Sequence, residues 1–184
     1  MTRLALHTVD TAPEKAKERV EAVQKANGFI PNLIGVLANS PQALEMYQEV
    51  SKLNSKNSLT AEEIEVIQIT AAVHNGCDFC VAGHTKIAEV RLQMSPEVVE
   101  ALRTRTSIDE NAKYQALAQF TMQLIDKRGQ VSDEELEAFK SAGYNDQNVL
   151  DVIMGVALST LCNYANTVAK TDINPELAAF GPNR

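Results

Sequence analysis

Tryptophan is absent from this chain of 184 residues, and aromatic residues make up only 5% of it. Flat aromatic surfaces on which bases or sugars could stack are therefore scarce. Runs of lysine and arginine are also absent, and the formal net charge is -7. Because nucleic acids and anionic membranes are bound by clustered basic residues, the sequence predicts neither of them as a partner.

Long apolar runs are missing too, although apolar residues make up 45% of the chain. No continuous run reaches the roughly 20 residues that span a bilayer. The first residues, Met1–Ala5, contain no long apolar segment and no small-residue cleavage site, so we expect no secretory signal. These features predict a cytoplasmic protein. The length is sufficient for a hydrophobic core, and we expect one domain over residues 1–184.

Signals for α-helix occur along almost the whole sequence. Apolar residues recur at helical spacing, as at Ile64, Ile67 and Ala71. Two capping boxes, Thr60–Glu63 and Ser132–Glu135, mark helix starts. Helices are predicted at about 13–27, 41–54, 61–75, 78–91, from 96 onward, and at 111–127, 133–142 and 146–170, and residues 31–37 are either a short helix or an apolar connector. The predicted fold class is therefore all-α.

The three cysteines are too few for the disulfide framework of a secreted protein, and two of them form a Cys-x-x-Cys pair, Cys77 and Cys80. Thiols at this spacing can close a disulfide within one helical turn, and His84 follows the second thiol by four residues. Glu65 lies on the preceding predicted helix, where its carboxylate could hold the imidazole. The pattern predicts a thiol redox centre with its own proton relay.

The expected chemistry starts from a thiolate, because the charged form of cysteine is the nucleophile and its ordinary pKa is about 8.5. Both thiols lie near a predicted helix N-terminus, which favours an anion, and His84 can accept the proton of Cys80. A Cys80 thiolate that attacks a peroxide oxygen becomes a sulfenic acid, with which Cys77 condenses to a disulfide. An external reductant must then restore the dithiol.

Other roles for the pair remain open at this stage. A zinc site could use Cys77, Cys80 and His84 with either His74 or Cys162 as the fourth ligand. However, the sequence has no second Cys-x-x-Cys at the spacing of a zinc finger. The pair could also be incidental to function. Covalent haem attachment is excluded, because histidine does not directly follow the second cysteine.

A weak internal repeat relates residues 64–80 to residues 149–165 at an offset of 85 positions, and it pairs Cys77 with Cys162. Two helical motifs of common origin would give this pattern, although apolar helices also match by chance. The counterparts of the glutamate, the second cysteine and the histidine are apolar in the second copy. Any chemistry is therefore expected in the first copy alone.

The spacing Glu-x11-Cys-x2-Cys-x3-His resembles the signature of the alkyl hydroperoxidase D-like proteins, within the carboxymuconolactone decarboxylase superfamily. Two further segments, Phe29–Leu33 and Gly35–Pro41, are similar to the N-terminal segment of the peroxidase-related branch of this group, and Asn75–Thr85 is the core motif. The resemblance covers about residues 27–170. It implies an all-α fold with an internal helical repeat, assembled as a homo-oligomer, often a trimer or hexamer.

The resemblance also implies peroxide reduction without a cofactor or metal, with Cys80 as the peroxidatic cysteine, Cys77 as the resolving cysteine, and His84 and Glu65 as the relay. Phe79 stands where some members of the group have a histidine, so a second relay arm is missing or replaced. The decarboxylase branch lacks the Cys-x-x-Cys pair, which disfavours lactone decarboxylation here.

The expected partners are a small hydroperoxide and a protein dithiol that acts as reductant. Two alternatives remain: a protein disulfide oxidoreductase of the same fold, and a redox-sensing oligomer without turnover. No residue of the sequence identifies the peroxide or the reductant.

Overall fold

A computed structural model describes residues 2–182, which are largely α-helical and contain no β-strand. The α-helices are α1 (Glu14–Asn27), α2 (Asn32–Leu37), α3 (Pro41–Asn54), α4 (Ala61–His74), α5 (Asp78–Lys86), α6 (Pro96–Thr104), α7 (Ala112–Lys127), α8 (Asp133–Ser141) and α9 (Asp146–Ala169). A π-helical turn, Ile87–Arg91, extends α5, and a 3₁₀ segment, Pro175–Phe180, follows α9. The predicted all-α class is confirmed.

The helix starts follow the local signals of the sequence. The Thr60 hydroxyl accepts the backbone N–H of Glu63, and the Glu63 carboxylate accepts the N–H of Thr60. Ser132 and Glu135 form the second predicted capping box, at the start of α8. A third capping box, which the sequence analysis did not predict, starts α9. Each box satisfies two backbone N–H groups that the first turn of a helix leaves unpaired.

Helix α4 lies at the centre of the protein and packs against α5, α6, α7 and α9. Every residue of α4 from Glu65 to Ala72 is buried, so all sides of the helix face the interior, as expected of a helix within a core. One hydrophobic cluster contains Ile67 of α4 together with Phe120 and Phe139. The other contains Ala72 near the end of α4, together with the cysteine pair and apolar residues of α1, α2 and α3. Helix α4 therefore joins the two clusters.

Two buried polar residues of α4, Gln68 and Glu63, are paired with side chains or backbone of other elements. Gln68 donates to the backbone oxygen of Gly155 and accepts from the Ser159 hydroxyl at 2.6 Å, which ties α4 to α9. Glu63 accepts from Lys113 at 2.8 Å and from the Tyr144 hydroxyl at 3.0 Å. Because buried polar groups with partners avoid most of the desolvation cost, these bonds fix the register of the central helices.

Helix α9 is long and apolar enough, by length and composition alone, to cross a membrane, with a mean hydropathy of 1.3 in its most apolar window. Such a composition is equally typical of a core helix in a soluble protein. In this fold α9 packs against α2, α3, α4, α5 and α7. Its apolar composition is thus explained by packing, and the expectation of no membrane partner stays a prediction.

The two copies of the sequence repeat contain helices that start at matching positions, since Thr60 and Asn145 are both N-cap residues. They then diverge. Helix α4 ends at His74 and a new helix begins at Asp78, whereas α9 continues without interruption to Ala169. The common origin of the copies stays a prediction. The single domain expected over 1–184 also stays a prediction, and residues 1, 183 and 184 lie outside the described residues.

We expect Phe139→Ala to lower the free energy of unfolding by about 3–5 kcal/mol, because truncation of a buried aromatic ring leaves a cavity. Phe139 is buried, with its ring stacked on Phe120 at 4.2 Å and on Tyr144 at 4.4 Å between centroids. Urea denaturation measures the change. Val90→Ala is the control, because Val90 is 59% exposed and its truncation should change stability by less than about 0.5 kcal/mol. Equal effects of the two substitutions would contradict the described core.

Candidate active site

The site begins at the chain reversal between α4 and α5. Gly76 has a φ of 67°, in the left-handed region that favours glycine, and it allows the chain to turn sharply after α4. The backbone N–H of Cys77 then donates to the backbone oxygen of Ala72 at 2.9 Å. Cys77 becomes the N-cap residue of α5. This turn lays α5 back against α4 and places the thiol pair between them and α9.

The two thiols are buried and adjacent. Cys77 and Cys80 are 3% and 4% exposed, and their sulfur atoms are 2.7 Å apart. The sulfur of Cys77 also accepts the backbone N–H of Cys80 at 3.3 Å, in the manner of an N-cap side chain. The predicted pair is therefore brought together. A disulfide could close with only a small movement of the side chains.

The surroundings stabilise a negative charge more on Cys77 than on Cys80. The hydrogen bond between the two sulfurs, together with the Cys80 N–H, lowers the pKa of Cys77 despite its burial. The same bond and burial raise the pKa of Cys80 well above its ordinary value. These shifts make Cys77 the more readily ionised thiol of the pair. The role of Cys80 as first attacker, implied by the family resemblance, stays a prediction.

The predicted carboxylate–imidazole pair is also present. The Nδ1 atom of His84 lies 2.8 Å from Oε2 of Glu65, and the glutamate is only 6% exposed. Burial lowers the pKa of His84, but the charge and hydrogen bond of Glu65 and the charge of Cys77 outweigh it and raise the pKa overall. The imidazole therefore influences Cys77 through its charge. The expected position of His84 directly over Cys80 is not accompanied by a hydrogen bond to either sulfur among residues 2–182.

Two cavities meet at Cys77. The first, here called the Arg103 cavity, has a volume of about 180 Å³, and its lining includes Ala72, Val73, Cys77, Val81, Arg103 and Pro182. The second, here called the Asn166 cavity, has a volume of about 150 Å³, and its lining includes Cys77, Phe79, Asn166, Thr167, Lys170 and Thr171. Cys80 lines neither cavity. A small molecule in either cavity would therefore meet the sulfur of Cys77 first.

Helix α9 contributes a group that the sequence analysis missed. The Nδ2 atom of Asn166 lies 3.3 Å from the sulfur of Cys80. One turn earlier, Asn163 accepts a hydrogen bond from Asn75 at 2.9 Å. The sequence repeat predicted no chemistry on α9, because the α9 positions aligned with Glu65, Cys80 and His84 are apolar. The available signal was the pair of asparagines at a spacing of three residues within an apolar helix, since buried amides require partners.

The alternative metal ligands are not assembled around the cysteine pair. The Nε2 atom of His74 is 2.9 Å from a carboxylate oxygen of Asp126 on α7. Cys162 is buried, and burial raises its pKa to about 12, as expected of an inert thiol. Within the described part of the chain, no group of three or more histidine, cysteine or acidic side chains is arranged to hold a metal ion.

We expect Glu65→Gln to lower the pKa of His84, because the substitution removes the negative charge that outweighs the effect of burial. A titration of the imidazole protons by NMR measures this pKa, with the His84 signal assigned from a His84→Asn variant. Glu62→Gln, on the same helix, is the matched control and should leave the titration unchanged. An unaltered His84 midpoint in Glu65→Gln would contradict the observed pair.

The raised pKa of His84 also sets the direction of a pH effect on stability. A group whose pKa is higher in the folded state stabilises the fold fully below its unfolded value, which is about 6.5 for histidine. This contribution is lost as pH rises through the higher folded value. The difference in free energy of unfolding that the Glu65–His84 interaction creates between the wild-type protein and Glu65→Gln should therefore shrink towards alkaline pH. A difference that grows from acidic to alkaline pH would contradict the assignment.

Comparison with known sequences gives one family. Residues 41–123 match the carboxymuconolactone decarboxylase family. This segment begins with α3, ends within α7 and includes the whole predicted motif. A search of curated proteins finds no match to this chain.

Comparison with solved structures extends over nearly the whole chain. A peroxidase-related protein from Ralstonia eutropha JMP134, described as an alkylhydroperoxidase AhpD core, is similar with a TM-score of 0.85 and 21% identity, covering 99% of this chain and 97% of that one. A peroxidase-related protein from Silicibacter sp. TM1040 has a TM-score of 0.80 and 20% identity, with coverages of 96% and 93%. The debrominase Bmp8, in complex with 2,3,4-tribromopyrrole, has a TM-score of 0.77 and 17% identity, with coverages of 96% and 94%.

At these identities the structures show a shared fold, and the sequence match gives the family of the central segment. Both findings agree with the family that the Cys-x-x-Cys signature resembles. They support the resemblance to the alkyl hydroperoxidase D-like proteins of the carboxymuconolactone decarboxylase superfamily.

Proposed function

We propose that this protein is a thiol-dependent peroxidase that reduces hydroperoxides through Cys77 and Cys80, with His84 and Glu65 as a proton relay. The observation that carries the proposal is the arrangement of the dithiol. The two sulfurs are 2.7 Å apart, one of them has a lowered pKa and lines two cavities, and a carboxylate-bound imidazole lies nearby. These are the parts needed for attack on a peroxide, resolution to a disulfide and proton transfer.

The reaction balances without any further oxidant. A thiolate attacks the terminal oxygen of the hydroperoxide, the O–O bond breaks, and the alkoxide leaves with a proton supplied by the His84 imidazolium. The attacking cysteine is now a sulfenic acid. The second thiol attacks its sulfur, water leaves, and the disulfide forms. Two electrons have passed from the dithiol to the peroxide, and thiol exchange with a protein dithiol restores the starting state.

The order of attack determines which single variant retains a sulfenic acid. With Cys80 as first attacker, we expect Cys80→Ser to abolish peroxide turnover, and Cys77→Ser to accumulate sulfenic acid on Cys80. Labelling with dimedone followed by peptide mass spectrometry measures this. Sulfenic acid on Cys77 in the Cys80→Ser variant would instead assign first attack to Cys77, whose pKa is the lower. Wild-type activity in both variants would contradict the dithiol mechanism.

We expect one equivalent of cumene hydroperoxide to remove two of the three titratable thiols and to produce a disulfide between Cys77 and Cys80. Thiol titration under denaturing conditions, with peptide mapping, measures both changes. Cys162→Ser is the control, because Cys162 is buried, lies outside the Cys-x-x-Cys pair and should not alter the product. An unchanged thiol count in the wild-type protein would contradict peroxide reactivity.

The same fold permits two other uses of the pair. A protein disulfide oxidoreductase would exchange with a dithiol protein and leave peroxide untouched. A redox-sensing oligomer would change its size between reduced and oxidised states, which light scattering with and without dithiothreitol measures, whereas a peroxidase should keep its size. The buried, low-pKa thiol beside two cavities supports a small-molecule substrate over a protein substrate.

Reductive dehalogenation is a second candidate activity, since the fold is shared with a debrominase that binds 2,3,4-tribromopyrrole. A dithiol can supply the two electrons that such a reaction needs. The specific observation in its favour is the Arg103 cavity, which places apolar side chains beside the Cys77 sulfur. Bromide release from 2,3,4-tribromopyrrole in the presence of dithiothreitol tests it. The cysteine pair gives lactone decarboxylation no comparable support.

We also propose a cytoplasmic homo-oligomer, a trimer or hexamer. Six of the nine large apolar side chains that the described residues expose lie on α3 and α9, which pack against each other. These are Met46, Leu53, Leu150, Ile153, Tyr164 and Val168. Exposed apolar residues concentrated on neighbouring helices are typical of a contact surface.

A further inference from the structure

We infer that Asn166 is a further catalytic residue of the dithiol centre, whose side-chain amide donates a hydrogen bond to the Cys80 sulfur and stabilises its thiolate. The inference rests on the proposed dithiol chemistry of the same site. It gives a role to helix α9, to which the sequence signature assigns none.

The geometry supplies each sulfur with its own N–H donor. The Cys77 sulfur accepts the backbone N–H of Cys80, which comes from the first turn of α5. The Cys80 sulfur accepts from Nδ2 of Asn166 at 3.3 Å, across the interface between α5 and α9. Among residues 2–182, Asn166 is the only N–H donor to that sulfur. A negative charge can therefore be held on either cysteine as the reaction proceeds.

Burial makes this donor important. Asn166 is only 3% exposed, and water has little access to the sulfur that it contacts. The burial of Cys80 and the neighbouring Cys77 both disfavour a thiolate on Cys80, whereas the Asn166 amide acts in the opposite direction and lowers the pKa of both cysteines. A hydrogen bond to a charged group is stronger than one between neutral groups, and more so where water is excluded.

The other end of the same amide has no partner among the described residues. Oδ1 of Asn166 is buried and receives no hydrogen bond from the described residues. The hydroxyl oxygen of Thr171 is also buried and also has no hydrogen-bond partner among them. Both residues line the Asn166 cavity. Buried polar atoms without partners are unusual in a folded protein. The O–H of a hydroperoxide would supply the missing donor to Oδ1, directly beside the thiols.

Other titratable groups around Cys80 act in known directions. Cys162 raises the pKa of Cys80, and Cys80 in turn raises the pKa of Tyr47 on α3. His84, paired with Glu65, acts on the dithiol through Cys77. None of these groups changes when Asn166 is replaced, so a shift in Cys80 reactivity isolates the amide.

The test measures the alkylation rate of Cys80 by iodoacetamide from neutral to alkaline pH, in a Cys77→Ser background in which Cys80 is the single thiol of the pair. We expect Asn166→Ala to lower the rate at neutral pH by about tenfold and to move the midpoint of the pH profile upward by about one unit. The rates should converge at alkaline pH, where Cys80 is ionised in both proteins.

The matched control is Asn163→Ala, which removes a buried amide from the same helix but has no contact with sulfur; it should leave the pH midpoint unchanged. Asn166→Asp is the second variant. It keeps the shape but loses the N–H donor and adds a negative charge, so we expect an upward shift at least as large as that of Asn166→Ala. Circular dichroism and thermal unfolding show that each variant is folded.

An unchanged pH midpoint in folded Asn166→Ala and Asn166→Asp would overturn the inference, as would an equal shift in Asn163→Ala. Because alkylation requires no peroxide, this result is independent of turnover. If the midpoint shifts but the wild-type protein reduces no hydroperoxide, the role of Asn166 stands and the proposed peroxidase function fails. If the wild-type protein reduces hydroperoxide but the midpoint does not shift, the proposed peroxidase function stands and the role of Asn166 fails.

Discussion

The turn at Gly76 is the constraint on which the site depends. It interrupts what would otherwise be one long helix and starts a second helix with Cys77 at its N-cap, where the sulfur accepts a backbone N–H. The second helix then folds back on the first, so that His84 meets Glu65. Cys162 provides the contrast. It occupies the matching repeat position in a helix without a break, has no such donor, and has a pKa raised by burial.

The centre combines burial with a small number of well-placed donors. Burial alone would keep both thiols neutral, since transfer of a charge out of water is costly. The hydrogen bond between the sulfurs and the N–H groups from α5 and α9 reduce this cost, because each stabilises a negative charge on sulfur. The protonated form of His84 adds a positive charge near Cys77. The dithiol lies in a largely dry site that two small cavities approach.

Helix α9 serves both the core and the site. Its contacts with α4, through Gln68 and Ser159, fix the centre of the fold. The same helix carries Asn166 to the sulfur of Cys80 and leaves apolar side chains such as Leu150 and Tyr164 exposed on its outer face. The amide that contacts the Cys80 sulfur is therefore positioned by the packing that stabilises the protein, which couples the geometry of the site to the integrity of the core.

Much of this protein could be predicted from local patterns in its sequence. The capping box at Thr60, the helical spacing of apolar residues and the break at Gly76 depend on neighbours in the chain, so the sequence determined the all-α class, the helix bounds within a few residues and the proximity of Cys77 to Cys80. The pairing of Glu65 with His84 was also accessible, because the two helices are joined by a short turn. By contrast, Asn166 lies 86 residues beyond Cys80, and no local rule relates the two positions. The preference of the thiolate for Cys77, the two cavities and the contact with Asn166 were decided by tertiary structure alone, because burial and hydrogen bonding between distant helices arise only once those helices are packed.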